Sequence, residues 1–595
     1  MTEALNIKKT GGTFLLESTL STTIFTREQF SEEQKEIETM VKDFCKDRIA
    51  PQFQEIEDKQ EGLSVQLLRE MGELGLLSID IPESLGGMEL DKTTAVIITE
   101  VMHNCRSASF MTTFSVQTGI GLLPILWFGN DEQKKKYLPK LAKAEWVGAY
   151  ALTEPSAGSD ATNSKTTAVL SEDGKHYILN GEKQFISNGS WADVFTLFAQ
   201  VDGHKFTAFI VDKDSPGFEI GPEEHKLGVQ GSSTTSLKLT DAKVPIENVL
   251  YEIGKGATIA FNALNIGRLK LGAGGMGGCK GVIEGTVNYA LERRQFGQSI
   301  AKFDIIKSKV ADMAVKTYAL DSIVYRTIGM IDDAVKELDK TADDFYLKMG
   351  EAMEKFAIES SMVKVSGSET LGFCADTGIQ ILGGYGFIEE YPMARIYRDT
   401  RIDRIWEGTN EINRQIITGY TMKKALLDEI PLKLKMKQFD DFLSSDFAFP
   451  ENTLLAKEEE IIDTGKHLAL YVLNEGLSEF GQDLRHEQQL GESLADNFID
   501  LYLAESTLIR VRQALQSNGQ HTVISSIAQV FAAEASLRLM NRSLTGLNAI
   551  YHGQLPNNVI DKLRKCQVRM LPHTDIPALK RQIAEYVYLK KIYPF

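Results

Sequence analysis

Hydrophobic residues recur at helical spacing from Phe30 to about Lys143, as in Ile37, Met40, Val41 and Phe44, and Ser31 ahead of Glu32 and Glu33 has the chemistry of a helix N-terminus. The pattern predicts a helical block here, preceded by an N-terminal arm. Between Trp146 and Val249 it changes to short β-branched and aromatic runs, such as DVFTLFAQV (193–201) and KFTAFIV (205–211), separated by Asn-Gly, Asp-Gly and Pro-Gly turns. Runs of strand length divided by turn dipeptides predict a compact antiparallel β domain. After Gly254 helical spacing returns and continues nearly to Tyr593, broken by the glycines of Gly383 to Gly386 and by Pro431 to Asn452, which reads as a junction. The order is helical, β, helical, helical.

With 595 residues, 43% hydrophobic and 25% charged, the chain has the make-up of a soluble protein of several domains. Its net charge of −17 gives no global attraction for nucleic acid, so a phosphate-backbone binder is not expected. The five cysteines lie far apart without a C-x-x-C pair, which argues against zinc ribbons, thioredoxin chemistry and a disulfide framework. No run of eighteen apolar residues occurs, and the first thirty residues lack a signal-peptide core and an arginine-rich transit pattern. A cytoplasmic location is expected. In Pro431 to Phe439, Leu432, Leu434 and Met436 alternate with Lys433, Lys435 and Lys437, a pattern for peripheral contact with the inner face of a membrane, with a solvated edge segment as the alternative.

Several motifs lose their usual meaning in context. Gly272, Gly274 and Gly277 spell G-x-G-x-x-G, but residues 259–271 before them have helical rather than strand spacing, which points to a helix whose small residues admit a close neighbour. Ser299 to Lys302 and Ser361 to Lys364 match S-x-x-K without the companion motifs of penicillin-binding enzymes, so both lysines are expected on solvated helix faces. Walker A, H-E-x-x-H and G-x-S-x-G are absent, and the nine histidines form no ligand cluster, so no metal is expected.

Two segments carry more. ALTEPSAGSD (151–160) reads as a strand entering a small-residue turn whose N–H groups and hydroxyls suit an acceptor-rich ligand. QILGGYGFIEEYPMARIYRD (380–399) is followed by Trp406-Glu-Gly-Thr-Asn410, where Glu407 stands between an aromatic and a helix-breaking glycine; a carboxylate in such low-dielectric surroundings becomes a stronger base. These segments resemble the two signatures of the acyl-CoA dehydrogenase family. FSEEQ near the N-terminus, FGNDEQKKKYLPKL (128–141), YALERRQFG (289–297) and IWEGTNEINR (405–414) are similar to the family as well, so the resemblance runs from about residue 30 to 420. NFIDLYLAESTLIRVRQAL (497–515) resembles the extra helical domain of the very-long-chain branch.

The resemblance implies an α+β multidomain fold: arm 1–29, helical N-terminal domain 30–145, β domain 146–250, four-helix C-terminal domain 251–422 and helical extension 423–595. It implies FAD as cofactor and oxidation of a long-chain acyl-CoA to its trans-2-enoyl-CoA, with Glu407 taking the α-proton and flavin N5 the hydride. Some branches place the base just before an arginine on an earlier helix, but the pair here is Gly267-Arg268, which leaves the duty to Glu407. The Glu407 amide and a ribityl hydroxyl would bind the thioester oxygen. Tyr150, Leu152 and Thr153 fall at the flavin edge, Gly158 and Ser159 at the turn facing cofactor and substrate, and Ser187 at the N5 side. Phe185 stands where the family usually has tryptophan, and Asn163 where it usually has a small residue. Arg293, Gln295 and Phe296 correspond to pyrophosphate contacts and Gln380 and Gly384 to ADP contacts, all five from a neighbouring subunit, with Thr409 and Glu411 beside the same cofactor. Ser159, Arg268 and Trp406 fall on the substrate, and Thr112 and Val116 at the end of the acyl tunnel, where two small side chains favour a long chain. The implied partners are a second copy of the chain in a homodimer or larger assembly and an electron-transfer flavoprotein as acceptor; a flavin acyl-CoA oxidase and a non-catalytic assembly factor are the alternatives.

Overall fold

A computed structural model describes residues 10–19, 21–445, 453–518 and 522–595. The N-terminal helices begin with α1 (Glu32–Phe44), where Ser31 and Gln34 cap each other's backbone in a capping box. Two more matter for the site, α2 (Lys92–His103) and α3 (Ala108–Thr118).

The β domain is one eight-stranded sheet, in the order β6-β7-β3-β2-β4-β5-β8, with β1 added on β4. Its strands are β1 (Gly148–Ala151), β2 (Thr167–Leu170), β3 (His176–Ser187), β4 (Val194–Val201), β5 (Lys205–Asp212), β6 (Phe218–Glu223), β7 (Thr234–Pro245) and β8 (Val249–Leu250). The expected all-antiparallel sheet is corrected here, because β1 and β2 both pair parallel with β4. β1 takes the first half of β4 and β2 its last two residues, so the two strands lie end to end along one edge. Residues 152–166 must therefore leave the sheet between them. β4, paired along both edges, is buried along its whole length.

Four long helices follow: α4 (Gly256–Glu292), α5 (Asp304–Lys336), α6 (Ala357–Leu382) and α7 (Asn410–Leu426). The glycine run lies in the middle of α4 and serves packing. A Cβ on Gly275 would stand 2.8 Å from the Gly367 carbonyl oxygen on α6, and one on Gly277 would stand 2.0 Å from the Glu100 carbonyl oxygen on α2. Two helices can approach α4 this closely only because it is bare there.

The extension comprises α8 (Leu432–Ser444), α9 (Ala456–Phe480), α10 (Gln488–Asn518), α11 (Thr522–Ile550), α12 (Asn557–Met570) and α13 (Ile576–Lys590). The basic-apolar alternation expected at Pro431 to Phe439 is thus wound into α8; Leu432, Phe439 and Leu443 turn inward, and Leu434 remains exposed. The rest of the expected junction, 446–452, lies outside the described residues. The arm runs between the extension and the rest of the chain: Phe14, Leu15 and Leu16 are buried, Phe14 meets the Tyr502 ring at 4.9 Å, and Thr19 donates to Glu505. All five cysteines are unpaired and buried.

Candidate active site

A turn of 3-10 helix (Arg401–Arg404) and the N-terminus of α7 bracket the segment that carries Glu407. Thr409 caps α7, its hydroxyl accepting from the Ile412 N–H, so the chain must change direction just before it. It does so through two consecutive left-handed residues, Glu407 at φ 57° and Gly408 at φ 81°. Glycine tolerates this conformation, while for glutamate it is strain that the surroundings must hold in place.

Backbone hydrogen bonds hold it. Arg268 Nε on α4 donates to the Glu407 carbonyl oxygen at 3.2 Å. Lys364 Nζ on α6 donates to the Gly408 carbonyl oxygen at 2.8 Å and to Asn410 Oδ1 at 2.7 Å. Asn413 Nδ2 reaches the same Gly408 oxygen at 2.8 Å. Lys364, expected on a solvated face, is instead fully buried, and that expectation is corrected: S-x-x-K spacing says nothing about which side of α6 meets its neighbours.

The Glu407 carboxylate is treated differently from its backbone. Oε2 is sealed from solvent and has no hydrogen-bond partner among the described residues. Desolvation raises the pKa to about 7, with Arg268 and Lys364 opposing the rise. Gly267 lies directly against it, since a Cβ there would be 2.6 Å from Oε2. Positions 267 and 407 therefore meet at one point in space, and the bare glycine makes room for the carboxylate.

Most of the first signature lies in the excursion 152–166 between β1 and β2, which is tied at its base by a pair that sequence reasoning missed. Glu154 accepts from Lys183 Nζ at 2.7 Å and from the backbone N–H groups of Lys165 and Thr166, while the Gln184 N–H donates to the Thr153 carbonyl. Lys183 is fully buried, and burial pushes its pKa down to about 8. Glu154 lies within the first signature, which is the only hint the sequence offers; nothing in the strand pattern of β3 marks Lys183. Just beyond this tie β3 slips register against β7, and Phe185 is thrown out at φ 59° with 62% of its surface exposed. Thr153 and Ser187 are half-buried and Gly158 and Ser159 are exposed. Tyr150 and Leu152 are buried. Asn163 is exposed and bonds to Asp160.

On α3, Phe110 and Phe114 pack into the N-terminal core, while Thr112 and Val116, about 200° round the helix, are buried outside that cluster. Asn188 and Gln117 join α3 to β1: Asn188 Nδ2 donates to the carbonyls of Thr113 and Gly148, and Gln117 Oε1 accepts from the Gly148 N–H. Trp406 is half-buried next to the base, and Glu411 is exposed on the first turn of α7.

The remaining predicted residues gather elsewhere. Arg293 follows the C-terminus of α4, twenty-six positions from Gly267, which is about 39 Å along a helix rising 1.5 Å per residue. There its guanidinium stacks 5.5 Å from the Tyr385 ring, with exposed Gln295, Gln380 and Gly384. Phe296 is 91% exposed at the tip of a short hairpin. These residues therefore lie far along α4 from the Glu407 segment.

The acyl-CoA dehydrogenase N-terminal, middle and C-terminal domain families match residues 31–145, 149–242 and 254–420, and a second family described as acyl-CoA dehydrogenase C-terminal domain matches 464–565. A probable acyl-CoA dehydrogenase of Bacillus subtilis is 43% identical over 98% of both chains. The mitochondrial very long-chain specific acyl-CoA dehydrogenase of Macaca fascicularis is 33% identical over 84% of this chain and 79% of its own. The crystal structure of an acyl-CoA dehydrogenase complexed with FAD from Bacillus anthracis is 41% identical and matches 99% of this chain and 100% of its own with a TM-score of 0.94. Matched along nearly its whole length, the chain belongs to the acyl-CoA dehydrogenase family of FAD-dependent oxidoreductases.

Proposed function

We propose that the chain dehydrogenates long-chain acyl-CoA thioesters to trans-2-enoyl-CoA, with Glu407 as the base. The observation that carries this is the sealed, unpartnered Oε2 of Glu407, whose pKa near 7 suits a group that must take up a weakly acidic proton. Bound FAD accepts the hydride that leaves the β-carbon. Glu407 takes the α-proton, and its own N–H is a donor for the thioester oxygen, so side chain and backbone serve separate steps. Phe185, Thr153 and Ser159 cover and orient the cofactor. Tyr150 and Leu152 keep water from behind it. A second half-site, Arg293, Gln295, Phe296, Gln380 and Gly384, serves a cofactor in a neighbouring copy, which makes the active unit at least a homodimer. An electron-transfer flavoprotein is the acceptor in this reading.

Support for long chains comes from α3, where Thr112 and Val116 leave a face without bulky side chains while both phenylalanines turn into the core. Relatives named for very long chains point the same way. Each further buried methylene contributes about 0.8 kcal/mol until the tunnel ends. Turnover across a series of acyl-CoA lengths should peak at long chains, and Val116→Trp should move the peak to shorter ones at unchanged FAD content. A butyryl-CoA optimum, or an unmoved profile in the variant, would rule out α3 as the tunnel floor.

A further inference from the structure

Lys364 and Arg268 are both buried, and neither forms an ion pair within 4 Å among the described residues. Arg268 bonds to the Glu407 carbonyl and Asn265 Oδ1, and Lys364 to the Gly408 carbonyl and Asn410 Oδ1. A buried cation whose hydrogen bonds all go to neutral oxygens, with no carboxylate in direct contact, costs stability compared with an apolar side chain of the same size. Folding alone gives no reason to place one at Lys364. The two oxygens it holds flank the turn that sets the direction of the preceding residue, the base.

We propose that Lys364 is a positioning residue for the dehydrogenation: its ammonium clamps the Gly408 carbonyl and the first residue of α7, fixing the left-handed turn that aims the carboxylate and N–H of Glu407. The inference rests on Glu407 being the base. Asn410 extends the clamp, since its Nδ2 donates to Ser368 Oγ and Glu369 Oε1 on α6, so the start of α7 is fastened to α6 at several points. Freed of the clamp, the Gly408–Thr409 peptide can rotate and carry the left-handed turn at Glu407 with it, and a displacement of about 1 Å at a reacting group costs on the order of 10²-fold in rate.

Lys364 also acts on the base through charge. The groups around it are Arg268 from α4, Glu369 from α6, Asp403 from the 3-10 turn, Glu407 itself and Glu411 from α7, with Tyr150 from β1 facing Glu407. Burial pushes the Lys364 pKa down to about 8, so it is cationic at neutral pH and holds Glu407 below the value desolvation alone would produce. Removing the cation raises the carboxylate pKa, and the acid limb of the pH profile must then move to higher pH.

Two variants separate these contributions. Lys364→Met keeps the volume but removes both the clamp and the charge; Asn413→Ala removes the second donor to the Gly408 oxygen and no charge. For Lys364→Met purified with its FAD, kcat should fall about 10²-fold while acyl-CoA affinity stays within about threefold, and the acid limb of kcat/KM should rise by about one pH unit. Asn413→Ala should lower kcat and leave the limb in place. The proposal is overturned if Lys364→Met keeps the wild-type rate and limb, or if its rate falls only in proportion to lost FAD and substrate binding. Should Lys364→Met fail to fold, an undiminished kcat in Asn413→Ala overturns the clamp by itself. Glu407→Gln, assayed alongside, keeps the two ideas apart: full turnover there removes the base, whereas an inactive Glu407→Gln beside a fully active Lys364→Met removes only the role of Lys364.

Discussion

Two glutamates, Glu505 fully buried and Glu407 half-buried with one oxygen sealed from solvent, each have two cations at hand and are held in opposite states. Glu505 on α10 accepts directly from Arg326 Nη1 at 2.8 Å and from Lys466 Nζ, with Thr19 of the arm as a third donor, and these partners keep its pKa below the ordinary carboxylate range despite burial. Glu407 is near Arg268 and Lys364, but both cations bond to backbone carbonyls, Oε2 is left bare, and the pKa climbs to about 7. The inventory of charges is nearly the same. What differs is whether the cations touch the carboxylate or its backbone: the first arrangement fastens arm and extension to the core, and the second leaves a proton acceptor ready.

The sharpest test of this contrast is Glu407→Gln, which removes the acceptor and almost nothing else. Turnover should fall roughly 10³–10⁴-fold with FAD content and acyl-CoA affinity retained. Activity above a tenth of wild type would mean that another group takes the proton. At the other pole, Glu505→Ala strands Arg326 and Lys466 in the interior, and breaking a buried pair from one side costs about 3–5 kcal/mol. The expected signature is a lower midpoint of denaturant unfolding and earlier proteolysis of the arm, with near-normal kcat at low temperature. A midpoint shift equivalent to less than about 1 kcal/mol would show that the cluster is better solvated than its burial suggests.

How far the sequence foretells these two regions differs for a physical reason. Residues consecutive in sequence announce themselves: Trp406-Glu-Gly-Thr-Asn410 displays the base, the left-handed glycine and the N-cap within five positions, and Ser31 with Gln34 displays the start of α1. Residues that meet only through tertiary packing do not. Lys364 approaches Gly408 across forty-four positions, Lys183 approaches Glu154 across twenty-nine, and Glu505 approaches the arm across almost the whole chain. Lys364 was legible only as a lysine on a helix, and the usual place for such a residue is the surface. The parallel seating of β1 and β2 on β4 was hidden likewise, because turn dipeptides report hairpins and say nothing about strands joined by a fifteen-residue excursion.

A finer test concerns the room left for the base. Gly267→Ala places a methyl group 2.6 Å from the present position of Oε2. The obstructing atoms belong to the end of a flexible side chain, so the fold should survive and the carboxylate should yield. A displaced base predicts a loss of roughly 10²-fold in the rate of flavin reduction, at nearly unchanged thermal stability. An equal loss of stability and rate would show instead that α4 itself had moved.

The smallest expected effect comes from a carboxylate between the two extremes. Glu359 on α6 is 2% exposed; its Oε1 accepts from the Gly12 N–H of the arm at 2.7 Å, and Oε2 has no partner. Desolvation raises its pKa to about 7, only partly countered by that hydrogen bond and by Arg326 and Lys424 at a distance. Because the folded value exceeds the unfolded one, the native state binds this proton more tightly: the associated stability is complete below about pH 4.5 and is lost as pH rises through 7. Above that, the fold carries a buried charge that Arg326, engaged by Glu505, does not relieve. Glu359→Gln keeps an acceptor for Gly12 and removes the charge. Its advantage over wild type should be on the order of 2 kcal/mol at pH 8 and should shrink steadily towards pH 4.5, below which the carboxyl is neutral in the folded and unfolded states alike. Thermal unfolding of both proteins from pH 5 to 8.5 measures the gap. Parallel curves would mean that Glu359 is neutral or paired throughout, and that the arm is held by the packing of Phe14 to Leu16 without any titrating contact.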